Sequence, residues 1–129
     1  MHGASQDRAQ AFADAVVRLE SSGDLGTFVD LFADDAELVR PETGQQLAGR
    51  DGARDYWQQY LAQFRVIRSE FSRVAEGDGL GVLEWQSTGR LAGGGDISYR
   101  GVSLVDFASD GRVSRFATYF DTAKFATAV

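Results

Sequence analysis

Cysteine and asparagine are missing from this 129-residue sequence, and histidine and lysine occur once each, as His2 and Lys124. Without cysteine there are no disulfides, thiolate nucleophiles or cysteine-based metal sites. The one histidine falls in residues 1–5, a stretch expected to be disordered, which removes histidine-dependent triads and multi-histidine metal sites. Any catalysis would therefore draw on Asp, Glu, Tyr, Arg, Ser or Thr. No apolar run approaches the roughly 18 residues of a membrane span, and no basic-then-apolar signal segment opens the chain. The expectation is a soluble cytoplasmic protein. Net charge is −6 and the isoelectric point is about 4.6. Nucleic acids and anionic membranes are poor partners for such a surface, because both call for a basic footprint. The preference for arginine over lysine fits a GC-rich bacterial genome. No cofactor or metal is expected. Asp34-Asp35 reads as a helix terminus entering a strand, and Gly77, Gly79 and Gly81 lie between strands with no helix to complete a phosphate loop.

The rest of the composition is ordinary for a folded domain, with 43% hydrophobic and 25% charged residues. The length suits one domain spanning residues 1–129. Apolar spacing near 3.6 predicts a helix over Gln6–Ser21, with Ser5 as N-cap. A second short helix is expected over Asp24–Ala33. Ala36–Pro41 reads as a short strand, turned by Glu42-Thr43-Gly44 into Gln45–Ala48. Gly49 and Asp51 then open a third helix that runs through Phe64. From Val66 the pattern is β throughout: Val66–Glu76, Leu80–Leu91, Asp96–Ala108 and Arg112–Asp121. The separators Gly77-Asp78-Gly79, Ala92-Gly93-Gly94-Gly95 and Ser109-Asp110-Gly111 are turn signals, which implies an antiparallel meander. Helices first and strands afterwards give an α+β class.

Three helices, an early hairpin and a four-strand meander resemble the cone-shaped nuclear-transport-factor-2-like fold. Within it the chain is similar to the SnoaL-like and ketosteroid-isomerase-like group. The segments that carry the resemblance are Leu31-Phe-Ala-Asp-Asp-Ala-Glu-Leu38, Gly49-Arg-Asp-Gly52, and Gly111-Arg-Val through Thr118-Tyr-Phe-Asp121, followed by a terminal lid with Phe125. The resemblance implies a curved antiparallel sheet whose concave face is closed by three helices, with a pocket between them. It also implies a homodimer packed through the outer sheet face, where Glu84, Gln86 and Thr88 point outward and Val82 and Tyr119 supply apolar surface.

Strand alternation assigns the faces. Leu83, Trp85, Ser87 and Gly89 share the inner side of their strand. Phe116, Thr118 and Phe120 share an inner side, with Arg115, Tyr119 and Asp121 opposed. The family register would also place Arg100, Val102 and Leu104 inside. The position of the ketosteroid-isomerase base corresponds to Arg40, before Pro41, and an arginine stays charged and cannot take a proton. The positions of the epoxide-hydrolase carboxylates and arginine correspond to Trp85, Ser87 and Thr118. The aspartate acid/base of SnoaL-type cyclases has no counterpart on the assigned inner faces. The residues expected to bind a ligand are Arg40, Tyr56, Tyr60, Phe64, Trp85 and Ser87, then Arg100, Val102, Phe116, Thr118, Phe120 and Phe125. Two guanidiniums in an apolar cavity either meet an acid, with Glu84 and Glu37 nearest in sequence, or await an anionic ligand. Rim snorkelling of the arginines and plain core packing of the aromatics are the competing readings.

Three functions stay open: a pocket protein that binds a small hydrophobic or anionic metabolite without proven activity; a lyase, isomerase, cyclase or epoxide-hydrolase-like enzyme acting on a hydrophobic metabolite; and a non-catalytic protein-interaction module.

Overall fold

The computed structural model describes residues 3–127. The elements in chain order are α1 (Gly3–Ser22), α2 (Leu25–Val29), β1 (Phe32–Arg40), β2 (Gln45–Ala48), α3 (Gly49–Ala62), β3 (Phe64–Gly77), β4 (Leu80–Leu91), β5 (Asp96–Phe107), β6 (Val113–Phe120) and α4 (Ala123–Thr127). α1 begins at Gly3, so the backbone of residues 3–5 is helical and Ser5 lies inside the helix rather than at its cap. His2 lies outside the described residues. α2 is shorter than its apolar spacing suggests. Asp24 caps it, accepting from the Thr27 hydroxyl at 2.8 Å and from the Thr27 backbone N–H at 3.2 Å, and these bonds, the hydroxyl's first, hold its carboxyl below the usual carboxylate range. Phe32 and Ala33 leave the helix for β1, because Phe32 pairs with Val113 of β6. Cross-strand pairing outweighs a weak local helical preference.

The strands form one curved sheet in the order β2-β1-β6-β5-β4-β3. β3 to β6 are the expected antiparallel meander. The sheet as a whole is mixed, not antiparallel, because β1 runs parallel to β6. A two-stranded hairpin has little stability alone, so β1-β2 docks on the open edge of β6, in the direction that the crossover through α3 allows. α4 is a fourth helix beyond the three expected. Asp78 and Gly79 both have positive φ, 53° and 77°, which is the two-residue turn whose twist matches that of the strands it joins. Register then runs evenly down β3 and β4 until it shifts by one residue between Phe71 and Arg73. That bulge at Ser72 sets which side chains of β3 face inward.

α1 and α3 cover one face of the sheet. Phe12 of α1 is the hub of the larger core cluster, with ring contacts to Phe28, Phe32, Trp57 and Phe116 at centroid distances of 5.6, 6.0, 6.4 and 5.7 Å. A second cluster gathers Phe64, Ile67, Trp85, Ile97 and Tyr99, with Phe120 and Phe125 packed on it. Tyr60, Leu61 and Phe71 border both clusters. Where the two meet, the core opens. Among the described residues no helix is long and apolar enough to cross a membrane.

Candidate functional site

A cavity of about 80 Å³ lies between α1, α3 and the sheet, with β6 and α4 at its edge. Its helical wall is Phe12, Val16, Tyr56, Trp57 and Tyr60. Tyr56 and Tyr60, one helical turn apart, share the face that the helix turns to the sheet. The strand wall is Ser69 and Phe71 from β3, Leu83, Trp85 and Ser87 from β4, Tyr99 and Ser103 from β5, and Phe116, Thr118 and Phe120 from β6. Phe125 of α4 closes one side, its ring 4.9 Å from Tyr99 and 5.5 Å from Phe120. Arg40, Glu42 and Gln63 complete the lining.

Two hydroxyl chains enter this apolar shell. In the first, Glu20 of α1 accepts from the Tyr60 hydroxyl at 2.7 Å, from the Ser69 backbone N–H at 2.8 Å and from Ser69 Oγ at 2.6 Å. A carboxylate only accepts, so Ser69 spends its proton on Glu20. Ser87, 2.6 Å from Ser69 Oγ, therefore donates to Ser69 and presents lone pairs to the cavity. In the second chain Trp85 Nε1 donates to Ser103 Oγ at 3.0 Å, and Ser103 shares a 2.6 Å bond with Thr118. The indole crosses Gly101 to reach Ser103, since a Cβ there would lie 2.5 Å from Trp85 Cζ2.

Arg40 leaves the end of β1 and lays its guanidinium 4.4 Å from the centroid of the Tyr56 ring. Its Nη2 donates to Gln59 at 2.8 Å. Its Nε and the indole Nε1 of Trp57 are buried and meet no protein acceptor. Burial pushes the phenols of Tyr56, Tyr60 and Tyr99 above their ordinary value. For Tyr56 the Arg40 charge opposes the rise and Glu42 adds to it. For Tyr60 the neighbouring Tyr99 and Glu20 reinforce it. All three phenols therefore stay neutral hydrogen-bonding groups at physiological pH.

A family model for the SnoaL-like domain matches residues 9–116. The chain belongs to the SnoaL-like domain family. Solved structures with the same fold include an NTF2-like protein from Anabaena variabilis, 18% identical, with a TM-score of 0.82 over 93% of this chain and 91% of that one. Another is a hypothetical protein with a ketosteroid isomerase-like fold from Catenulispora acidiphila, in complex with trimethylamine. It is 13% identical, with a TM-score of 0.79 over 91% of this chain and 90% of that one. TerC, co-crystallised with polyporic acid, is 17% identical, with a TM-score of 0.78 over 94% and 97% of the two chains. No curated protein matches the sequence.

The SnoaL-like cavity gathers nine of the twelve residues singled out from the sequence: Arg40, Tyr56, Tyr60, Trp85, Ser87, Phe116, Thr118, Phe120 and Phe125. Phe64 stands behind the lining, 5.3 Å from Tyr60 and 6.0 Å from Phe125. Arg100 and Val102 are corrections. Arg100 is exposed and opposite Gln86, on the outward face. Val102 is half-buried on that same face, between Glu84 and Tyr119. Their alternates Tyr99 and Ser103 face in instead. The apolar phase of β5 changes midway, from Ile97 and Tyr99 to Val102 and Leu104, so hydrophobicity alone mis-assigns the second half. Neither acid expected near an arginine reaches Arg40. Glu37 lies 4.0 Å from Arg115 and Glu84 lies 4.0 Å from Arg73, both on the outside. Sequence reasoning also missed Trp57, Ser69 and Glu20. Trp57 adjoins Tyr56 on a helix whose inward arc is wide, a signal that was available. Ser69 depends on the bulge at Ser72, which has no signature in the sequence. Among the described residues no group of three potential ligands could hold a metal ion.

Proposed function

We propose that this protein is a small-molecule-binding SnoaL-like domain that holds an apolar or anionic metabolite in the cavity beneath α1 and α3. The observation that carries this reading is the cavity itself: about 80 Å³ of aromatic-walled space reached by a few fixed polar groups, the general form of a ligand site. The relatives bound to trimethylamine and to polyporic acid support it. Binding is favoured over acid–base chemistry by the disposition of the acids. Glu42 is the one carboxylate among the described lining residues, and it sits on the exposed rim. Glu20 lies behind the wall with its oxygens committed to Tyr60 and Ser69. A cytoplasmic address is part of the same proposal, supported by the cysteine-free composition.

A thermal-shift screen of small aromatic and alicyclic compounds tests it. Ligand at 100 times its dissociation constant adds about 2.7 kcal/mol, so a binder raises the melting temperature of the parent. Thr118→Leu, which fills the cavity from its half-buried wall, is expected to abolish that rise while the protein stays folded by circular dichroism. No shift with any compound, or equal shifts in the filled variant, would sink the reading.

The same proposal includes a homodimer through the outer sheet face. Cross-strand register lines up Val39, Ala117, Leu104, Val82 and Ala75 across five strands. Val82 and Tyr119 on this face are 37% and 49% exposed. An apolar row of this kind suits a two-fold partner that presents the same row. Light scattering after size-exclusion chromatography is expected to give twice the chain mass for the parent and the chain mass for Leu104→Glu. A monomeric parent at high micromolar concentration overturns the dimer.

A further inference from the structure

β3 is the free edge of the sheet on the side away from β2. Its register with β4 is regular from Val66 to Phe71 and shifts on either side of that run. Ser69 stands opposite Ser87 with the two hydroxyl oxygens 2.6 Å apart, the close approach of a non-hydrogen-bonded pair. The backbone N–H and C=O of Ser69 therefore point away from β4, and by alternation so do those of Ile67 and Phe71. An edge of outward backbone groups is a template for another strand. Here the central N–H is already taken. Glu20, in the last turn of α1, accepts it at 2.8 Å, and the same carboxylate accepts from Ser69 Oγ at 2.6 Å and from the Tyr60 hydroxyl at 2.7 Å.

The side chains of this run are self-complementary about Ser69. Outward from it in the two directions come Arg68 and Glu70, then Ile67 and Phe71. Arg68 and Glu70 are exposed, and among the described residues neither takes part in a salt bridge. We propose that the β3 edge is a pairing surface for a second copy of this chain, held closed by Glu20. Two such strands laid antiparallel about Ser69 set Arg68 of each copy opposite Glu70 of the other. That is a non-hydrogen-bonded position, where side chains come closest and opposite charges help. Ile67 of each copy exchanges backbone bonds with Phe71 of the other, and the two Ser69 residues exchange bonds on the two-fold axis. A register centred on Arg68 or on Glu70 would put like charges face to face, which destabilises. The charges therefore select the one register whose central bonds need the N–H that Glu20 holds. Pairing closes at two chains, because the opposite edge of the sheet is a different strand, β2. The surface is separate from the cavity and from the apolar row on the outer face.

The test measures mass by light scattering across a concentration series of the full chain carrying Leu104→Glu, so that the outer-face contact does not contribute. That chain is expected to be monomeric. Adding Glu20→Gln, which leaves one acceptor oxygen for three donors, or Glu20→Ala, which leaves none, is expected to double the mass as concentration rises. Arg68→Glu on top of either change returns the monomer, because Glu then meets Glu, and Glu70→Arg added to that restores the dimer. Tyr60→Phe in place of the Glu20 change leaves the Ser69 N–H covered and is expected to stay monomeric, which separates opening of the edge from loss of stability. In dilute, monomeric samples the Ser69 amide is expected to exchange its hydrogen roughly 10- to 100-fold faster in Glu20→Gln than in the parent, the scale of a hydrogen bond to a charged group. Glu20 variants that are folded by circular dichroism yet stay monomeric at high concentration overturn the pairing surface. A dimer indifferent to the charges at positions 68 and 70 overturns it as well, and equal exchange at Ser69 with and without the carboxylate overturns the role of Glu20.

Discussion

Position 101 shows how one missing side chain builds the site. A Cβ on Gly101 would lie 2.5 Å from Trp85 Cζ2 and 2.5 Å from the Tyr119 carbonyl oxygen. The carbonyl belongs to the neighbouring strand and cannot step aside, so the indole would have to. Glycine inside a strand often marks such a close approach, and here it frees the path by which Trp85 Nε1 reaches Ser103. Gly101→Ala is expected to cost about 1–3 kcal/mol through overpacking, measured by urea denaturation, and to shift the tryptophan emission as the bond to Ser103 breaks. A variant as stable as the parent would show that the strands separate more easily than this packing implies. The contrast with Arg100, one residue earlier, is instructive. Its charge invites a pocket role, yet strand parity turns it outward.

At the level of elements, α1 does two jobs on the sheet. Its apolar stripe fills the core around Phe12, which is 3% exposed, and its last turn sends Glu20 across to Ser69 and Tyr60. Phe12→Ala is expected to lose about 3–5 kcal/mol, the range for removing a buried phenylalanine. Chemical denaturation monitored by circular dichroism measures it, and a loss below 1 kcal/mol would mean that the neighbouring rings collapse into the gap. The stripe was legible as a helix because Phe12, Ala13, Val16 and Leu19 recur at helical spacing. The cavity-facing role of α1 was not, since a period says which residues are buried but not what covers them. β4 was legible to the residue, from Leu80 to Leu91, because its alternation is clean and glycine turns bracket it. β3 was legible as a strand, but not in its facing, because a one-residue bulge reverses the parity of everything beyond it.

For the molecule as a whole, the buried tyrosines set an alkaline limit. Tyr56, Tyr60 and Tyr99 hold their protons more tightly folded than unfolded, burial being the main cause in each. Below the ordinary phenol value of 10.0 both states keep the proton and nothing changes. Above it the unfolded chain ionises first, so it binds fewer protons and stability falls as pH rises. Each phenol contributes a slope of about 1.4 kcal/mol per pH unit, or about 4 kcal/mol per unit for the three together. Melting temperature is expected to drop steeply above pH 10, and Tyr60→Phe is expected to remove about a third of that slope. An unchanged slope in the variant would show that Tyr60 ionises as readily folded as unfolded. The sequence by itself determined the class of fold, the order of the elements, the faces of β4 and β6 and most of the aromatic wall, because those follow from local periodicity and turn chemistry, which each segment carries within itself. Only the tertiary structure decided the parallel seam between β1 and β6, the inward parity of β5, the pairing of Ser69 with Ser87 and the isolation of the Arg40 and Trp57 donors. Those depend on register and on contacts between residues far apart in the chain, and no local pattern encodes them.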